Sequence, residues 1–250
     1  MRLVRFSLGD RRGYGAENEG SISALSWEPY DLQAEPDERI PLSDATLLAP
    51  VLPTKIVAVG LNYMDHAQEF GLAIPDEPLL FLKASSTVLG HGGTVLCPPQ
   101  SARVDYEAEL AVVIGVETRG VSEPEALGCV LGYTCGLDMT ARDLQASDGQ
   151  WTRAKNFDTF CPLGPWVETV LEPDDLAVEL RLNGEVRQSS RTSRLIFKVP
   201  YLVSFISSIM TLYPGDVIMT GTPSGVGEVH PGDRIEVSIE GIGALAVSVA

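Results

Sequence analysis

Basic residues are scarce in this chain: 18 Lys and Arg stand against 34 Asp and Glu, a net charge of −16 over 250 residues, with no basic tract anywhere. Nucleic acid and anionic membrane surfaces both require a positive footprint, so neither is an expected partner. No apolar run approaches the roughly 20 residues of a spanning helix, and the opening MRLVRFSLGD lacks the apolar core and cleavage site of a signal peptide. A cytoplasmic location is therefore expected. The four cysteines, Cys97, Cys129, Cys135 and Cys161, show no CxxC spacing, and a chain of this size needs no disulfide framework, so they are expected as reduced packing residues. No glycine-rich loop ends in Gly-Lys-Ser/Thr and no GxGxxG follows a strand pattern, which leaves nucleotide binding unsupported.

What is present is an ordinary globular composition, 44% hydrophobic, in a length that fits a small unit joined to a larger one. Residues 1–53 read as a small strand-rich N-terminal domain, with short alternating segments such as RLVRFSL broken by glycines and then a proline-dotted polar stretch. The boundary is placed near Pro53, and residues 54–250 form the larger unit. Within it, KIVAVG, AELAVVIG, AVELRLNGEVRQ, DVIMTG, RIEVSIEG and ALAVSVA read as strands, the third folded at Asn183-Gly184, a strong two-residue hairpin signal. One clear helix is expected where Pro200 opens YLVSFISSIMTL, with Leu202, Val203, Phe205, Ile206, Ile209 and Met210 in a broad apolar stripe. PGD at 214–216 and 231–233 supplies turns before strands. Helices scattered among antiparallel-looking strands place the chain in the α+β class.

The segment DYEAEL, leading into AVVIG, carries the sharpest chemical signal. In an extended chain, side chains two apart share a face, so Asp105, Glu107 and Glu109 would crowd together at the entrance of a buried strand. Two like charges about 4 Å apart repel by about 4 kcal/mol at an effective dielectric of 20. A wet strand edge, a shared proton or a bound cation would each relieve this. Asp138 lies where the apolar YTCGLDM gives way to polar residues. With Glu107 and Glu109 it offers three hard oxygen donors, a set suited to Mg²⁺ or Mn²⁺.

Other candidates are softer. In VGLNYMDHAQEFG, a strand ends at Gly60, Asn62 can N-cap, and a helix reaching Gly71 would place His66 and Glu69 on one face, where the carboxylate can orient the imidazole as a general base. An exposed surface pair has the same spacing. Cations are few, so Lys83, Arg142, Arg153 and Lys155 stand out: Arg142 can clamp a carboxylate, and Lys155 can act as a point charge on a carboxylate or enolate. Salt bridges with the many acids are the plainer alternative. TGTPSGVG, from Thr220 to Gly227, can cradle a small anion with hydroxyls and backbone N–H groups.

Taken in order, KIVAVGLNYMDHAQEFG, PLLFLKASS, VDYEAELAVVIG, GYTCGLDMTARDLQ, GQWTRAKNFDTFCPLGPW, NGEVRQSSRTSRLIF and TLYPGDVIMTGTPSGVG resemble the fumarylacetoacetate hydrolase family over residues 54–250. The resemblance implies a mixed β-roll or barrel, a homodimer, and Mg²⁺ or Mn²⁺ at Glu107, Glu109 and Asp138, with Ca²⁺ able to substitute in a crystal. It implies catalytic roles for His66 and Glu69, on a lid helix, and for Lys155. It implies substrate contacts for Arg142, Gln145, Thr222 and Lys83. Asp105 falls outside the usual metal positions and is expected to be solvated or paired with Arg103 or Arg142.

The expected substrate is a small anionic 2-oxo or 2,4-dioxo acid, converted through a metal-stabilised enolate. Acylpyruvate-type hydrolysis leads, because His66 and Glu69 could activate water. Decarboxylation of an oxaloacetate-like acid, or isomerisation of a 2-hydroxyhepta-2,4-diene-1,7-dioate or 5-carboxymethyl-2-hydroxymuconate in aromatic catabolism, would use the same enolate. A non-catalytic metal-binding protein would have no need of His66, Glu69 and Lys155. A carboxylate-pair glycosidase would need its acids placed across a sugar, which two acids on one strand face are not.

Overall fold

The computed structural model describes residues 1–25, 36–65 and 74–250 of the chain. Strands dominate and helices are few. The middle of the largest sheet is an antiparallel trio, Ala108–Ile114, Val130–Leu137 and Cys161–Glu168. Val217–Met219 flanks the first of these, followed by Ile56–Gly60 in parallel and Leu79–Lys83 at the edge. On the opposite side Arg2–Leu8 pairs with Cys161–Glu168 and continues the sheet through Arg11–Asn18, Ser21–Leu25 and Pro36–Pro41. The two end strands do not pair with each other among the described residues, so this sheet stays open. The closed barrel that the resemblance allowed is not found.

A second sheet packs against the first and contains Glu185–Arg191, Ala177–Leu182, Arg234–Ile239, Gly243–Val249 and the short Thr94–Val95. Its hairpin turns at Asn183 and Gly184, with φ of 54° and 85°. Two successive left-handed residues make the turn whose twist matches antiparallel strands, and Asn-Gly tolerates that conformation best. A small third sheet joins Thr140–Ala141, Val104–Tyr106 and Gly227–Glu228. The α-helices described in full are Arg142–Asp148, Thr152–Lys155 and Val199–Ile209, and no described helix is long and apolar enough to cross a membrane. In the last, Leu202, Val203 and Ile206 are buried and Phe205 and Met210 pack against the same core, whereas Ile209 of the expected stripe turns to solvent.

Ala108–Ile114 is buried on both faces, as its unbroken apolar run requires. Leu110, Val112 and Ile114 join the main core, which reaches the second sheet through Val178, Leu180, Ile235 and Val237. Ala111 and Val113 pack on the other face with Ile56, Leu163, Val217 and Met219. Each large aliphatic side chain buried this way contributes about 1.5–3 kcal/mol. The N-terminal strands gather a smaller cluster of their own, Val4, Phe6, Ile22, Ala24 and Ile40. All four cysteines are free thiols, Cys135 and Cys161 being buried.

DYEAEL is not one strand. The chain leaves the small sheet after Tyr106 and enters the large sheet at Ala108, so Glu107 sits at the junction. The N–H of Ala108 is taken by a side chain, the Oε1 of Gln188, at 2.9 Å. The three acids nevertheless face a common cavity.

Candidate functional site

Ladder register assembles the acids. Ala108 pairs with Leu137, and Asp138, the residue just past that strand, donates its N–H to the carbonyl of Glu107 at 2.9 Å. Two antiparallel strands thus bring a remote aspartate to the junction glutamate. Glu107, Glu109 and Asp138 are all buried and each offers a carboxylate oxygen within 4.8 Å of the others. They border a cavity of about 430 Å³ together with Gly60, Phe81, Asp105, Arg142, Gln145, Trp151, Lys155 and Thr222, among others.

The cations here are unevenly shared. Lys155 Nζ donates to Glu107 Oε2 at 2.8 Å and to Asp138 Oδ2 at 2.5 Å, leaving one of its three N–H bonds free of a described acceptor. It lies 5.0 Å from the centre of the Phe81 ring. Lys83 is fully buried, with its Nζ on Asp138 Oδ1, on the carbonyl of Lys155 at 2.7 Å and on that of Met139 at 3.5 Å. Three acceptors occupy its three N–H bonds, so it sits behind Asp138 and off the cavity wall.

Arg142 begins a helix whose preceding strand pairs with Val104–Tyr106, and this carries its guanidinium to the acids. Its Nε donates to Asp105 at 2.9 Å, its Nη1 to Gln145 Oε1 at 2.6 Å, and its Nη2 to Glu107. Asp105 is also gripped by Arg103, at 2.8 and 3.2 Å, so it is buried and doubly paired rather than solvated.

The two glutamates respond in opposite directions. Burial opposes ionisation of Glu107, but the charges of Lys155 and Arg142 and their hydrogen bonds override it and hold the carboxyl well below the usual range. Glu109 is pushed well above that range, first by burial and then by the neighbouring charges of Asp138 and Glu107. It accepts a hydrogen bond from Gly221 N–H at 2.7 Å, and among the described residues no ammonium or guanidinium lies within ion-pair distance of it. Buried all-oxygen donors, one of them short of positive charge, form a set that can hold a hard divalent cation.

His66 and Glu69 lie outside the described residues. Asn62 bonds the backbone of Phe197 on both sides of its amide, at 2.8 and 3.1 Å, and donates to Thr220 O at 2.7 Å. That cross-link fixes the end of the Ile56–Gly60 strand against the Thr220–Gly227 loop. The structure thus brings Glu107, Glu109, Asp138, Lys155, Arg142, Gln145 and Thr222 to one cavity. Phe81 and Trp151, whose rings meet edge to face at 5.2 Å, form an apolar wall that sequence reasoning did not single out. Phe81 stands two positions before Lys83 and Trp151 four before Lys155.

A family model described as fumarylacetoacetate (FAA) hydrolase C-terminal matches residues 55–250, and one described as Rv2993c-like, N-terminal matches residues 1–50. The chain belongs to the fumarylacetoacetate hydrolase family. It is 42% identical over 218 residues to a Rattus norvegicus protein named oxaloacetate tautomerase Fahd2a, mitochondrial, covering 82% of this chain and 70% of that one. The crystal structure of 2-hydroxyhepta-2,4-diene-1,7-dioate isomerase from Mycobacterium marinum superposes with a TM-score of 0.93 at 41% identity, over 100% of this chain and 98% of the other. Maleylpyruvate hydrolase from Sphingobium sp. SYK-6, in complex with manganese(II) and pyruvate, superposes with a TM-score of 0.83 at 33% identity, over 100% and 99% of the two chains.

Proposed function

We propose that this protein catalyses divalent-ion-dependent proton transfer on 2-oxo dicarboxylic acids, interconverting enol and keto forms of an oxaloacetate-like or dienedioate-like substrate. The observation that carries this reading is the buried trio Glu107, Glu109 and Asp138 opening onto a cavity that Lys155 and Thr222 also line. Relatives named as an oxaloacetate tautomerase and a dioate isomerase support the reaction class, and a relative solved with manganese and pyruvate supports the ion and the 2-oxo acid. Held by the three carboxylates, Mg²⁺ or Mn²⁺ supplies Lewis-acid polarisation of a 2-oxo group.

The chain's own residues do the rest. Burial works against the charge of Lys155, but Asp138 and Glu107 more than offset it and keep the ammonium protonated. Its remaining N–H is directed at a substrate oxygen, where it stabilises the negative charge that grows as solvent water takes the C3 proton, a proton then returning from solvent to that oxygen to complete the enol. Arg142 keeps Glu107 ionised and in place while Gln145 steadies the guanidinium. Phe81 and Trp151 exclude water from one side and so strengthen these charge interactions.

Acylpyruvate-type C–C hydrolysis is a second reading, favoured by His66 and Glu69 in the sequence and by the relative named a maleylpyruvate hydrolase. A panel of oxaloacetate, 2-hydroxyhepta-2,4-diene-1,7-dioate, acetylpyruvate and fumarylpyruvate separates the two. Ketonisation of oxaloacetate or isomerisation of the dioate is expected to be fastest, to fall at least ~100-fold after EDTA dialysis, and to return with Mg²⁺ or Mn²⁺. Full turnover after exhaustive chelation would overturn the ion assignment. Faster cleavage of the acylpyruvates, abolished in His66→Ala, would select hydrolysis.

A further inference from the structure

One buried amide has no part in the chemistry above. Gln188, on the strand Glu185–Arg191, is fully inaccessible and makes three hydrogen bonds. The N–H of Ala108 donates to its Oε1 at 2.9 Å, and its Nε2 donates to the carbonyl of Pro223 at 2.8 Å and to Thr222 Oγ1 at 2.9 Å. A backbone N–H can only donate and a backbone carbonyl can only accept, so Ala108 and Pro223 together leave one possible orientation of the amide. In that orientation the second Nε2 hydrogen reaches Thr222, whose oxygen must accept it. A threonine hydroxyl carries a single proton. That proton therefore points away from Gln188, and among the described residues it meets no acceptor. Thr222 lines the cavity beside Glu107, Glu109 and Lys155.

Two features place this amide where the walls of the cavity meet. Ala108 lies between Glu107 and Glu109, so one amide ties the acidic wall to the Thr222 wall. Gly225, with φ of 92°, lies so close to the strand bearing Gln188 that a Cβ there would meet the carbonyl of Arg187 at 2.2 Å.

We propose that Gln188 is a positioning residue that makes Thr222 an obligate hydrogen-bond donor toward the substrate. Resting on the 2-oxo acid reading above, this assigns the ligand group facing Thr222 as an acceptor, a carboxylate or oxo oxygen, and disfavours an amide nitrogen or a protonated amine there. Oxalate, an acceptor-only mimic of a 2-oxo acid, tests it by calorimetric titration of the full chain in Mg²⁺.

Thr222→Val and Gln188→Met should each weaken oxalate binding about tenfold, and the double variant should be no weaker than the poorer single one. Thr222→Ser, which keeps the hydroxyl, should recover most of the affinity that Thr222→Val loses. Gln188→Glu, which fills the same space, should lose at least as much as Gln188→Met, because a carboxylate there recruits the Thr222 proton for itself. Effects of Gln188→Met and Thr222→Val that multiply in the double variant would overturn the assignment. So would unchanged binding by Thr222→Val or Gln188→Glu, and neither of those results depends on Gln188→Met folding. A parent protein that binds Mg²⁺ but no oxalate would overturn the 2-oxo acid reading, and this assignment with it; parent binding with any of the other failures overturns this assignment alone.

Discussion

Two of the places where the chain buries carboxylates treat them differently. Near the surface end of the Val217–Met219 strand, Asp216 stands alone and is fully inaccessible. Its Oδ1 accepts from Thr54 N–H at 3.0 Å, Thr54 Oγ1 at 2.7 Å and Lys55 N–H at 3.1 Å, and its Oδ2 accepts from Tyr213 N–H at 2.8 Å and from Lys55 Nζ. One acid there has one cation and four neutral donors. In the cavity, Glu107, Glu109 and Asp138 crowd together, two of them share cations, and Glu109 has one backbone N–H. The first arrangement is closed and serves stability. The second retains an attraction for positive charge that the protein itself leaves unmet, as expected of a site whose ligand comes from solution.

The largest test of that contrast is Glu109→Gln. Mn²⁺ affinity, followed by calorimetry, should fall at least ~100-fold and turnover about 1000-fold, since a first-contact donor is lost. Stability without divalent ions, by urea unfolding, should hold or rise by about 1 kcal/mol, because a crowded carboxylate has gone and the amide oxygen can still accept from Gly221. A drop of more than ~2 kcal/mol would place Glu109 with Asp216 among structural acids.

Asp216→Ala should have the opposite profile: a loss of about 3 kcal/mol in urea unfolding, from stranding Lys55 and four neutral donors, with Mn²⁺ affinity unchanged. Burial opposes ionisation of Asp216, but the bonds from Lys55, Tyr213 and Thr54 outweigh it and hold the carboxyl below its ordinary value. Its contribution is therefore complete above about pH 4 and disappears as pH falls through the lower folded value. The Asp216→Ala protein should consequently show a shallower acid-induced loss of stability than the parent in that window, and an identical slope would break the assignment. Smallest of all, Lys55→Gln should cost about 1 kcal/mol, because the four neutral donors remain.

The acids of the cavity were legible because strand periodicity is two: Glu107 and Glu109 declare a shared face, and Asp138 marks the end of an apolar segment. Depth was harder to read. Lys83 and Lys155 look alike in sequence, yet one is saturated behind Asp138 and the other keeps an N–H for the cavity, a difference set by tertiary packing. The break at Glu107 was hidden because no Gly or Pro marks it; a side chain some 80 positions away takes the ladder's hydrogen bond. Gln188 itself sits in the second arm of the Asn183-Gly184 hairpin, where nothing local marks it as buried, and Asp216 reads only as part of a turn. Hairpins, turns and the long helix are governed by local chemistry and were read from it. The open edge of the large sheet depends on which distant strands meet, and no local pattern encodes that.

The break at Glu107 also has a mechanical consequence. Glu107 stands on the seam between the small sheet and the large one, whereas Glu109 and Gly221 belong to the large sheet's side. An ion held by Glu107 and Glu109 would tie the two sheets together at that seam. Preference for a smaller or larger ion would then be adjustable by substitutions that alter how the two sheets abut at Glu107, with every carboxylate left in place.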